Sequence, residues 1–253
     1  MNVLIVYAHP SPQSFNAAMR DVAVETLTAA GHAVVVSDLV ALDFKAVTDA
    51  SDFAGTDPNR HFSVPDRQQA AFEAGTTAPD IAAEHAKVKA AGLVLFQFPM
   101  WIYSMPAILK GWVERVMSQD FAHSPGHMFE TGHMAGKRAM LCVTTNGRGA
   151  AFSDTGFHGP MELLLWPIHN GLRFQGFDIL PPFVAYDVVR VDAAARGQVL
   201  SEFRKHLEAT ERARPIDFHL RGEYAPDGRL KDGVAPVTRV QGGPAAGWVR
   251  QSD

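Results

Sequence analysis

Three stretches of this chain gather side chains able to do chemistry. The first, residues 7–16, reads YAHPSPQSFN, so that His9, Ser11, Gln13, Ser14 and Asn16 follow an aliphatic run and lead into a helical pattern. It stands where a nucleotide-binding fold places its phosphate loop, yet it carries neither Gly-x-Gly-x-x-Gly nor Gly-Lys-Ser/Thr. A helix N-terminus still offers free backbone N–H groups and the positive end of a dipole, which together attract phosphate. Ser11, Ser14 and Asn16 add donors, and His9 adds a donor or a positive charge. Taken alone, the stretch is equally well explained by Ser14 or Asn16 capping the helix. The second stretch, PMWIYSMP at 99–106, sets Met100, Trp101, Ile102 and Tyr103 among polar backbone. A flat aromatic cofactor needs such a wall, with backbone N–H groups for its ring heteroatoms. Core packing or a dimer contact would equally account for Trp101 and Ile102. The third, TTNGRGAAFSDTGFHG at 144–159, closes a strand with Thr144 and Thr145 and continues into Asn146, Gly147, Arg148 and Gly149. Amides at such a turn stabilise anionic charge. His158 can hold or deliver a proton near neutral pH, although a lone loop histidine is more often structural.

These loops work together only if other elements bring them to one edge. Apolar runs at 3–7, 33–36, 93–98, 140–145 and 177–184 read as strands, the last despite Pro181 and Pro182. Helical spacing covers 16–30, 79–91, 106–117, 161–174 with a kink at Pro167, and a long polar segment at 192–214. Residues 41–78 are irregular and too long for an ordinary connection, so they are expected to cover something. Residues 118–136, with His123, His127 and His133, read as a loop. Alternating strands and helices imply βαβ units and a parallel sheet. Five buried strands at these spacings suit an open doubly wound α/β sheet of order 2-1-3-4-5, which binds ligands outside the carboxyl ends of its strands. The three chemical stretches leave from those ends. After residue 215 apolar periodicity stops, which indicates a surface-hugging or partly disordered tail. The expected division is a main domain at 1–214 and an extension at 215–253.

The composition is that of a globular protein: 253 residues, 47% apolar, 20% charged, net charge −4. No basic stretch suggests nucleic acid or an acidic membrane surface. The single cysteine, Cys142, lies in the apolar run AMLCVTT, where a buried inert thiol is expected and no disulfide framework exists. No apolar run approaches membrane-spanning length and the N-terminus reads as a strand, which gives a cytoplasmic location by default.

Together, LIVYAHPSPQSFN, LFQFPMWIYSMPAILKGWVERV and TTNGRGAAFSDTGFHGPMELLLWPI resemble the flavodoxin-like NAD(P)H:quinone oxidoreductases, the DT-diaphorase group, in the same order along residues 2 to about 210. The resemblance implies a flavodoxin-like sheet with a C-terminal extension, FAD rather than FMN, NAD(P)H as co-substrate, a quinone-like acceptor and a homodimer. It implies ping-pong hydride transfer through flavin N5. His9, Ser14, Phe15, Asn16 and Ala17 would hold the pyrophosphate. Pro99, Met100, Trp101, Ile102, Tyr103, Thr144, Thr145, Asn146 and Gly147 would line the isoalloxazine, and Glu114 and Arg196 would lie near the adenosine. His123, Met128 and Phe174 would meet the substrate. The family's catalytic pair is a Tyr followed six residues later by a His. Here the His is His158 but the Tyr position is Phe152, which cannot donate a hydrogen bond. Losing such a donor costs about 10²-fold in rate where it acts in the transition state. Histidines also replace aromatic residues in the 118–136 loop. Their spacing gives no recognisable metal-ligand set. Three other readings share the fold: an FMN-dependent azo- or nitro-reductase, a flavin-binding regulatory subunit of a potassium efflux system, and a one-electron carrier. The last is disfavoured by the low charge and by about 70 residues beyond a minimal sheet.

Overall fold

The apolar runs become one parallel sheet. The computed structural model describes residues 1–54, 61–238 and 240. Its strands are β1 (Asn2–Tyr7), β2 (Ala33–Asp38), β3 (Leu93–Pro99), β4 (Arg138–Thr144), β5 (Asp178–Ile179) and β6 (Phe183–Ala185). The order is β2-β1-β3-β4-β5, with β6 also paired to β4. Every residue of β3 is buried, as a strand covered on both faces requires. The order matches the expected 2-1-3-4-5.

The expected strand at 177–184 is two short ones, because Pro181 and Pro182 have no N–H to give the ladder. Ile179 sits opposite Ala139, and Phe183 opposite Cys142. Four steps on one strand thus match three on the other, a bulge-like offset that lets the chain rejoin β4 and run to its carboxyl end.

The helices are α1 (Phe15–Ala29), α2 (Val64–Glu73), α3 (Pro79–Ala90), α4 (Ala107–Val116), α5 (Met161–Phe174) and α6 (Ala193–Glu208). Alternation along β1 sorts them into two layers. Val3, Ile5 and Tyr7 pack with Met19, Ala23 and Leu27 of α1 and Phe203 and Leu207 of α6. Leu4 and Val6 pack on the other face with Val88 of α3, Trp112 and Val116 of α4 and Leu165 of α5. Helix α5 continues through Pro167. Helix α6 stops short of the expected 214, because the carbonyls of Thr210 and Ala213 turn to the Arg138 guanidinium. Cys142 is buried, and burial pushes its thiol pKa up. Among the described residues no helix is long and apolar enough to cross a membrane.

The irregular stretch 41–78 contains α2, which its sequence pattern did not announce; residues 55–60 of it lie outside the described residues. Its first part covers α4. Buried Arg115 bonds both carboxylate oxygens of Asp52 (2.7 and 3.1 Å), the Lys45 carbonyl (2.9 Å) and Asp80 (2.6 Å). The Ala46 carbonyl lies on the backbone of Gly111, where a Cβ would stand only 2.0 Å from its oxygen. The tail, as far as it is described, hugs the surface. Ile216 donates to the Ile179 carbonyl (2.7 Å), Phe218 meets Trp166 at 5.7 Å between ring centroids, and Arg221 N–H donates to Glu130 (2.9 Å).

Gly111→Ala must push the Ala46 segment off α4. Overpacking of this kind costs about 1–3 kcal/mol. Urea unfolding is therefore expected to show a lower midpoint for Gly111→Ala than for the parent protein, while Gly197→Ala on α6, which meets nothing within 4 Å, leaves it equal or higher.

Candidate active site at the carboxyl ends of the strands

The loop after β1 enters α1 through Ser14, whose Oγ accepts from the Ala17 amide (3.0 Å). The Ala18 amide goes to the Ser14 carbonyl (3.1 Å). The amides of Phe15 and Asn16 have no acceptor inside the helix and face outward at its positive end. His9 Nδ1 accepts from the Ser11 amide (3.0 Å), which leaves Nε2 to carry the proton of the neutral ring. Burial lowers the His9 pKa and favours that neutral form. The Asn16 side chain is turned inward. Its Nδ2 donates to Thr144 Oγ1 (2.7 Å) and its Oδ1 accepts from Gln97 Nε2 (2.7 Å), all three side chains buried.

The loop after β3 makes a two-residue reversal. Trp101 and Ser104 exchange both backbone bonds, at 2.9 and 3.1 Å. Ile102 and Tyr103 between them have φ of 46° and 61°. A two-residue turn with both central residues at positive φ normally uses Asn-Gly or Asp-Gly. A β-branched residue there is a true outlier, and each such residue costs on the order of 1–3 kcal/mol. The strain has a chemical product: among the described residues the amides of Ile102 and Tyr103 have no acceptor. Trp101, Ile102 and Tyr103 are exposed, Ile102 at 92%. They are a surface wall and not core.

The loop after β4 keeps Thr144 and Thr145 buried. Thr145 Oγ1 takes the Gly147 amide (3.1 Å), and the Arg148 carbonyl takes that of Ala151 (2.9 Å), so neither amide is free. The amides of Asn146 and Arg148 have no acceptor among the described residues. The Phe152 ring presses on Gly147, where a Cβ would lie 2.5 Å from it. Phe152 also stacks on His158, at 4.6 Å between centroids and 26°. His158 is held by its amide to the Ala151 carbonyl (2.9 Å), and its Nδ1 lies 2.9 Å from Tyr103 Oη.

The three loops are therefore joined. Asn16 ties the first to the third, the Met100 amide donates to the Thr144 carbonyl (2.8 Å), His9 and Trp101 rings approach to 6.2 Å, and Tyr103 meets His158. A cleft of about 740 Å³ opens beside the third loop, lined by Asn146, Gly147, Phe157, His158, Arg148 and Arg190. Sequence reasoning missed Gln97 and Arg190. Gln97 had a visible signal, as the one polar residue in an apolar strand. Arg190 bonds the Asn146 carbonyl and Asp187, a contact no spacing reveals.

Other expected site residues lie apart. Glu114 has its partners on α4 (Lys110) and α2 (Gln68), not in the loops. Arg196 reaches the Val188 carbonyl (3.0 Å), and the Val188 amide reaches the Thr145 carbonyl (3.3 Å). His123 and Phe174 do meet, at 4.9 Å between rings, and Phe129, next to Met128, meets Phe174 at 5.4 Å. Burial lowers the His123 pKa, and its buried Nδ1 has no partner among the described residues. This cluster sits at the far end of α5 from His158. At 1.5 Å per residue, the helix carries Phe174 about 20 Å from Met161.

An open parallel sheet with three knitted loops at its carboxyl edge defines a flavodoxin-like protein, and residues 1–209 match the family model described as a flavodoxin-like fold. Within that fold, the chain is 42% identical over 217 residues to NAD(P)H dehydrogenase [quinone] 1 of Rattus norvegicus, covering 85% of this chain and 79% of the relative. It is 37% identical over 216 residues to ribosyldihydronicotinamide dehydrogenase [quinone] of Homo sapiens, covering 85% and 94%. A Klebsiella pneumoniae structure, described as that of a candidate quinone reductase, superposes with a TM-score of 0.88 at 39% identity, covering 93% of this chain and 96% of that one. The chain belongs to the flavodoxin-like NAD(P)H:quinone oxidoreductase family and is an oxidoreductase.

Asn16→Ala removes the middle of a buried polar chain and leaves Gln97 and Thr144 unpaired. An unsatisfied buried group costs about 1–3 kcal/mol, so urea unfolding should show a loss of this size. Ile102→Gly is expected to act the other way. It relieves the positive φ and raises the unfolding midpoint; a lowered midpoint would show that the turn is not strained.

Proposed function

We propose that the protein reduces quinones or similar acceptors by two electrons at the expense of NAD(P)H, using FAD. The observation that carries this reading is the turn at Trp101–Ser104, which leaves the Ile102 and Tyr103 amides without an acceptor among the described residues at strained backbone angles, and whose Tyr103 phenol reaches His158. The donor set fits a flavin. Phe15 and Asn16 amides with His9 Nε2 would hold the pyrophosphate, assisted by the helix end. Met100, Trp101, Ile102 and Tyr103 would supply the apolar wall and ring-edge amides. The Asn146 and Arg148 amides and His158 would face the pyrimidine edge. Arg196 would lie toward the adenosine. FAD held by these residues would supply two-electron hydride chemistry between a nicotinamide and the acceptor.

The chain's own part is to bind, orient and handle charge. Backbone donors at fixed positions stabilise negative charge without reorganising. His158 holds a proton at Nε2 for that charge. One cleft serving donor and acceptor in turn gives ping-pong kinetics.

The proposed acceptor cluster of His123, Met128 and Phe174 gathers at the C-terminal end of α5, about 20 Å along the helix from Met161, whereas His158 precedes the helix's N-terminal end. A second copy that brings this cluster over the first copy's loops would complete the pocket, which supports a homodimer. Glu114, exposed on α4 and paired with Lys110, would then also stand on a surface open to a second copy.

The decisive measurement is to release the cofactor from the purified protein, identify it by chromatography and titrate the holoprotein anaerobically with NADH and NADPH. FAD that bleaches and is restored by a quinone supports the reading. FMN would move the assignment to the azo- and nitro-reductase alternative. His158→Ala is expected to slow flavin reduction in stopped flow by about 10²-fold while flavin affinity changes little. Unchanged reduction would remove His158 from its role. Sedimentation should give a dimer.

A further inference from the structure

We propose that Tyr103, whose phenol reaches across from the second loop, is the positioning residue of His158. The inference rests on the reductase reading of the site. Its basis is one contact: Tyr103 Oη stands 2.9 Å from His158 Nδ1, between residues 55 apart in sequence. The two rings meet edge to face, at 5.5 Å and 64°. Phe152 takes a different side. It lies nearly parallel to the imidazole and fixes the ring plane, but it has no hydroxyl to fix the proton.

Packing does not explain where Tyr103 stands. The residue is 51% exposed. Its φ of 61° and the 46° of Ile102 are held by the closed Trp101–Ser104 reversal. That backbone is what brings the phenol to the imidazole edge. With the O–H donating to Nδ1, the ring proton belongs on Nε2. The Nε2 edge faces the third loop, where it stands 3.4 Å from the position a Cβ of Gly147 would take. Tyr103 thus selects the tautomer that aims a donor at the proposed flavin edge. The two neighbouring rings divide the control of the imidazole, since Phe152 sets its orientation and Tyr103 sets its proton.

Tyr103→Phe keeps the ring and deletes only the hydroxyl, at an exposed position where folding is not at stake. Ring-nitrogen NMR of labelled histidine tests the contact on both holoprotein and apoprotein. It is run at about pH 9, above the ordinary histidine pKa of about 6.5. His158 is assigned by its loss in His158→Ala. The expected result is a single Nε2–H tautomer with a hydrogen-bonded Nδ1 in the parent protein, and tautomer averaging in Tyr103→Phe. Stopped-flow reduction of the flavin-loaded variant should be about tenfold slower than that of the flavin-loaded parent. Identical histidine spectra overturn the proposal, and so does parent-like reduction. A parent protein that binds no flavin, or does not reduce it, defeats the reductase reading instead. The apoprotein spectra then still decide the Tyr103–His158 pairing.

Discussion

The site depends on a chain of three buried side chains, Gln97, Asn16 and Thr144. They stand on the strand ends and first helical turn from which the chemical loops depart. A buried polar group without a partner is costly, and here each group is the partner of the next. The consequence is geometric. The first turn of α1, the end of β3 and the end of β4 cannot shift separately without breaking a bond in the interior. The elements that carry the three loops are therefore tied to one another from inside, and Asn16 serves this tie with its side chain facing inward.

On this rigid base the second loop stores strain. A reversal built on Ile102 and Tyr103 at positive φ is a poor choice for stability and a good one for presenting donors. The flanking Trp101 and Ser104 bonds hold it closed. Stability for this feature comes from elsewhere, including the Arg115 cluster that clamps the 41–53 segment over α4. Among the described residues, this turn is the place where two consecutive non-glycine residues share positive φ.

Much of the fold could be read directly from residues. Fully covered parallel strands appear as unbroken apolar runs, and LVLFQFP is the clearest of them. Connections long enough for helices then left few possible strand orders. What stayed hidden depended on contacts across long separations. The 177–184 run looked like one strand because its two prolines act by removing ladder donors, which shows only against β4. Helix α2 is short and polar, and periodicity was too weak to mark it. In the site, residue types announced the three loops, while their mutual bonds did not. Nothing in MWIYSM signals positive φ, since the usual Asn-Gly marker is absent. The inward turn of Asn16 was foreshadowed only by Gln97, a polar residue with no other reason to sit in that strand.

The Tyr103–His158 contact also makes one imidazole the meeting point of two loops. The phenol that reaches its Nδ1 comes from the loop after β3, and the ring that stacks on its face comes from the loop after β4. The two positions are coupled through one imidazole, so the effect of either residue is defined only when the other is known.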